Sequence, residues 1–213
     1  MALLRSGPHW AILACGLAAA CASRPETPAP APQALPAPAE HAAHEHAPGL
    51  AATAGAGYTV EDVRFMQHMI GHHAQALVMT AMAPTHSASE GVVRLARKID
   101  ISQRDEIAMM KSWLEERKQA VPGDEHGHGM MMPGMLTPAQ LAQLDAARGG
   151  EFDRLFLTFM TRHHQGALQM VRELFRTPGA GQDPDLFRFV TDVDADQRDE
   201  IAVMERLLHT LQD

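Results

Sequence analysis

The chain has 213 residues, with 26 acidic against 18 basic side chains and only 5% aromatics. A formal charge of −8 disfavours a nucleic-acid partner, because that binding rests on cationic contacts to phosphates. The two cysteines, Cys15 and Cys21, both stand near the start, so the rest of the chain can form neither disulfides nor thiolate metal sites.

In chain order, residues 1–20 read as an export leader of the lipoprotein type. Arg5 is the early charge, and an apolar run from Trp10 to Ala20 follows it, too short and Ala-rich for a membrane span. The run ends in Leu17-Ala18-Ala19-Ala20-Cys21, a small-residue-then-Cys processing pattern. The expectation is a lipid anchor at Cys21 in the periplasm or outer membrane, with plain signal cleavage as the alternative. Without Arg5, 17 basic residues remain against 26 acidic ones, a net charge of about −9 that suits cation attraction. Residues 21–57 form a linker: Pro25, Pro28, Pro30, Pro32, Pro36 and Pro38 predict an extended spacer, followed by His41, His44 and His46 and an Ala/Gly segment.

Residues 58–213 contain an internal repeat. The block Phe65-Met66-Gln67-His68-Met69-Ile70-Gly71-His72-His73 aligns with Phe156-Leu157-Thr158-Phe159-Met160-Thr161-Arg162-His163-His164, at an offset of 91. Ala76-Leu77 and Met79 follow the first, Ala167-Leu168 and Met170 the second. Gln103-Arg104-Asp105-Glu106-Ile107-Ala108 then recurs unchanged as Gln197-Arg198-Asp199-Glu200-Ile201-Ala202, with Met110 and Met204 just beyond. Each half reads as two helices. Thr59 with Asp62 predicts a capping box, Pro84 a helix end, and Ser87 or Ser89 the cap of a helix reaching about Arg117. Thr137-Pro138 opens a short extra helix, a long one runs from about Glu151 to Phe175, and Asp183-Pro184 opens the last. No segment reads as a strand. The fold class is therefore all-α: a four-helix bundle of two duplicated hairpins, one over 58–120 and one over 138–213, joined by a loop over 121–137.

At 100° per residue, Met66, Met69, His73, Ala76, Leu77 and Thr80 share one helix face, with His72 at its edge on the row of His68, Gln75 and Met79. The second copy sets Met160, His164, Ala167, Leu168 and Val171 inward, with His163 and Met170 at the edge. On the partner helices Gln103, Glu106 and Met110, and again Gln197, Glu200 and Met204, fall on the core-facing stripe. Buried Glu and Gln there are costly unless paired or ligating. Between the halves lies His126-Gly127-His128-Gly129-Met130-Met131-Met132-Pro133-Gly134-Met135, whose methionines are expected to be exposed, without a packing role. Thioether sulfur favours Cu(I), and imidazole binds Cu(I) and Cu(II). Thirteen His and 14 Met in a chain without cysteine beyond residue 21 thus point to copper, or another divalent metal, as cargo.

These paired Met-x-x-His-His blocks, each followed by Ala-Leu-x-Met and Gln-x-x-Glu-Ile-x-x-Met, resemble the family called domain of unknown function 305, over roughly Val60 to Leu211. The resemblance implies a ferritin-like bundle, and for some members a periplasmic copper-binding role. It carries the motif onto Met69, His72, His73, Met79, Gln103, Glu106 and Met110, and onto Met160, His163, His164, Met170, Gln197, Glu200 and Met204. Two departures stand out: Gly71 and Arg162 occupy a position where Pro is common, and Ala74-Gln75 is replaced by Gln165-Gly166 in the second copy.

The expected function is copper sequestration, trafficking or tolerance, non-enzymatic, with metal ions, a copper-transfer protein or a second copy as partners. One alternative is a structural or partner-binding bundle in which the His and Glu residues are internal struts. The other is a ferritin-like metallo-oxidase. That site needs bridging carboxylates and two Glu-x-x-His motifs, and the expected helices carry none.

Overall fold

The computed structural model describes residues 51–123 and 132–211. Four long helices, α1 (Val60–His86), α2 (Glu90–Glu116), α4 (Gly149–Arg176) and α5 (Pro184–Thr210), and one short helix, α3 (Pro138–Ala146), make up the fold. Among the described residues there is no strand, only an isolated bridge between Gly55 and Tyr58. No described helix is long and apolar enough to cross a membrane.

The helix starts follow from local chemistry. The Thr59 side chain accepts from the Asp62 amide while the Asp62 carboxylate accepts from the Thr59 amide, closing the expected capping box. Ser89 caps α2, Thr137 with Gln140 boxes α3, and Asp183 caps α5 ahead of Pro184. One expectation fails. Pro84 does not end α1, which continues to His86, because Ala83 is buried in the core and the His86 ring holds the Asp145 carbonyl at 3.0 Å. Packing there outweighs the one hydrogen bond that proline removes. Gly149 and Gly150 form the first turn of α4, entered through Gly149 at φ +60°.

Helix α1 pairs with α2 and α4 with α5, and the hairpins join chiefly through α1 against α4. Two apolar clusters fill the bundle. The first holds Val63, Met66, Ile70, Trp113, Leu114, Val171 and Phe189, the second Ala76, Ile99, Leu144, Phe152, Phe156 and Leu157. On every long helix the clusters are separated by buried polar residues: His72 and His73, Gln103 and Glu106, His163 and His164, Gln197 and Glu200. A polar layer crosses the middle of the molecule.

The hairpins also clasp each other's turns. Asp62, fully buried in the first turn of α1, accepts from the Gly181 amide at 2.7 Å in the α4–α5 turn. Its repeat partner on α4, Asp153, accepts from the Ser87 hydroxyl in the α1–α2 turn. Ser87 and Gly181 are themselves equivalent, 94 positions apart. These struts are reciprocal.

Candidate metal centre

All four histidines of the repeat are buried, with His72, His73 and His164 at 0% exposure and His163 at 1%. His72 and His163 were expected at the stripe edge. They lie inside because α1 and α4 pack on each other there, with the two rings 3.8 Å apart between centroids. That spacing is van der Waals contact and leaves no room for an ion between these rings. The other two rings meet carboxylates. His73 Nε2 lies 2.5 Å from Glu106 Oε2, and His164 Nε2 lies 2.8 Å from Glu200 Oε2.

Hydrogen bonding sets the tautomers. A ring nitrogen facing a carboxylate or carbonyl oxygen must donate, so Nε2 carries the proton in His73 and His164. The same holds for His72, whose Nε2 donates to the Pro133 carbonyl at 3.0 Å. His163 bonds to the backbone of His72, and its Nε2 has no partner. Nδ1 of His72, His73 and His164 likewise has none. Burial is the main reason both inner rings stay neutral: it lowers His72 to a pKa of about 3, and His163 well below its usual value, with neighbouring histidines adding to each shift. Gln103 Oε1 and Gln197 Oε1 are also buried and unpartnered. Six unsatisfied atoms therefore share this layer, and those of neutral His72 and His163 and of the two glutamines are acceptors. At about 1–3 kcal/mol for each buried unsatisfied group, the layer sits at a substantial cost in free energy.

Methionines flank the layer in two matched sets. Met69, Met110 and Met170 belong to the first apolar cluster, and Met79, Met160 and Met204 to the second. Each set draws two residues from one hairpin and the third from the other. Among the described residues, no three His, Cys, Asp or Glu side chains come together as a metal-holding group. A cation held here would use thioether or amide donors beside the histidines.

The inter-half segment departs from expectation at its end. Met135 is 5% exposed and Met132 packs against the first cluster, so both have packing roles. His126, His128, Met130 and Met131 lie outside the described residues. The segment is fastened to the layer by residues that the sequence reading treated as mere differences between copies. Gln75 Nε2 donates to the Leu136 carbonyl at 3.0 Å, and the Leu136 amide donates back to Gln75 Oε1 at 2.7 Å. Its repeat equivalent is Gly166, where a side chain would collide with the Pro133 carbonyl. One copy grips the segment and the other lets it pass. The signal for both was the change from Gln75 to Gly166 between the copies.

Fold and layer together define the class: an all-α bundle of two duplicated hairpins around a buried His/Glu/Gln centre flanked by methionine. The chain belongs to the family described as Domain of unknown function (DUF305), whose model matches residues 62–208. It is similar to a DUF305 fragment from Deinococcus radiodurans, at 31% identity and a TM-score of 0.62 over 72% of this chain and 98% of that one. A candidate secreted DUF305 protein from Streptomyces coelicolor matches at 28% identity and 0.62, over 71% and 92%. CopM in its Cu(II)-bound form matches at 31% identity and 0.57, over 70% and 96%, and CopM is also known in Cu(I)-bound, silver-bound and apo forms. An uncharacterized protein of Acanthamoeba polyphaga mimivirus is 36% identical over 59 residues, a stretch covering 28% of this chain and 39% of that protein.

Proposed function

We propose that this protein is an exported, non-enzymatic carrier or store for soft metal ions, copper above all. The observation that carries the reading is the buried layer of six unsatisfied polar atoms, acceptors among them, between two methionine sets. Acceptors without donors are satisfied by a cation, and imidazole with thioether prefers Cu(I) and its soft analogues to hard divalent ions. Similarity to a chain that binds copper and silver supports the same class of cargo. In this reading the ion parts a His–Glu pair, takes the place of the Nε2 proton and is met by the unpartnered Gln103 or Gln197 oxygen, so uptake releases a proton and weakens as pH falls. Met69, Met79, Met110, Gln103 and their equivalents Met160, Met170, Met204 and Gln197 supply the softer contacts. His126, His128, Met130, Met131 and Met132 form the collecting segment. Export with a lipid anchor at Cys21 places the protein where it meets incoming metal and hands it to a partner.

Anaerobic titration of the metal-free protein with Cu(I), Ag(I) and Zn(II), with elemental analysis after desalting, tests this. Retention of Cu(I) and Ag(I), each raising the melting temperature, is expected. Copper at background level with an unchanged melting temperature overturns it. Direct contact between His73 and Glu106, and between His164 and Glu200, favours a second reading in which these pairs are struts. His73→Ala separates the two readings. A strut variant loses stability without metal, whereas a ligand variant loses chiefly the metal-induced rise in melting temperature.

A further inference from the structure

The repeat makes the two His–Glu pairs look interchangeable, but equivalent positions on α2 and α5 differ in charge. At an offset of 94, Lys98 and Ser102 on α2 correspond to Asp192 and Asp196 on α5. Around Glu200, Lys98 Nζ lies 3.6 Å and Ser102 Oγ 3.5 Å from Oε1, so this carboxylate is already partly neutralised. The matching positions on α5 are the two aspartates, so the second copy offers no ammonium group there. A cation approaching Glu200 must displace the Lys98 ammonium group.

Resting on the proposed metal-binding role, we infer that the two halves fill in order: the ion occupies the His73–Glu106 side first, and the His164–Glu200 side binds more weakly because Lys98 competes for its carboxylate. Duplication here yields a graded pair of sites, one tight and one readily emptied. Lys98 is a positioning residue for selectivity between the sites and is itself 60% exposed in its side chain, so replacing it leaves the core intact.

The experiment is a Cu(I) titration against a chromophoric chelator, on full-length protein with His126, His128, Met130, Met131 and Met132 changed to Ala. Two separated phases are expected. Lys98→Gln tightens the weaker phase by about two- to five-fold, the range of a surface ion pair, and leaves the tighter one unchanged. His164→Ala removes the weak phase and His73→Ala the tight one. Salt at 1 M narrows the gap between phases. Equal affinities at the two halves, or no response to Lys98→Gln, overturn this inference while leaving the metal-binding role standing. No copper bound by any bundle variant overturns both.

Discussion

The charge state of one ring sets the acid limit of this fold. His72 has its pKa lowered from 6.5 to about 3, first by burial and then by His73, although its bond to Pro133 pulls the other way. Between those values the unfolded chain binds the proton and the native ring does not, so stability rises with pH across the window. In the metal-free protein that contribution is complete above about pH 6.5 and is lost as pH falls toward 3. His163 is shifted in the same direction. Equilibrium urea unfolding at stepped pH should show a steep decline over this range, and His72→Gln should flatten it. An unchanged midpoint from pH 7 to pH 4 would contradict the burial argument. That these histidines matter could be read from their spacing, since His73 and His164 fall on an apolar stripe. That His72 and His163 pack ring against ring could not. Helical periodicity places a residue on a face of its own helix, and the cover over that face comes from the other half.

At the scale of elements, helices and caps were legible because each start carries its own chemistry in a few consecutive residues, as at Thr59, Thr137 and Asp183. What escaped were contacts made by segments far apart. The passage of Pro133-Gly134 over α4 depends on Gly166, and Gly134 itself sits at φ +79°. Gly166→Ala should therefore cost about 2–4 kcal/mol, the range of an overpacked or displaced buried contact. Faster exchange of the Leu136 amide, which Gln75 holds, should accompany it. Gln75→Leu should likewise free the Leu136 amide, at about 1–3 kcal/mol for the unsatisfied backbone group. Hydrogen exchange by mass spectrometry checks both. Exposure of the methionines in this segment was misjudged for a related reason: Gly and Pro nearby announce an irregular backbone, but they do not say where it is pressed. Met135 is pressed into the core.

For the whole molecule, the duplication was plain in the sequence and the bundle followed from it. The reciprocal grip of Asp62 on the Gly181 amide and of Asp153 on the Ser87 hydroxyl was hidden, because Asp62 already had a sufficient local role in its capping box. Asp153→Ala should cost about 1–3 kcal/mol, since it strands the buried side of the α1–α2 turn, and thermal unfolding followed by circular dichroism measures it. The two losses in Asp62→Ala/Asp153→Ala should add nearly in full, as the sites are distant. Each hairpin keeps at its own turn the group that the other hairpin's first aspartate requires. A lone copy of residues 51–123 would hold both an aspartate in search of a turn and a turn in search of an aspartate. Two such fragments could therefore complete one another about a twofold axis, with Asp62 of each meeting Ser87 of its mate. Sedimentation of that fragment should find a folded dimer that melts on dilution, the arrangement from which a fused, now unequal, pair of halves could have descended.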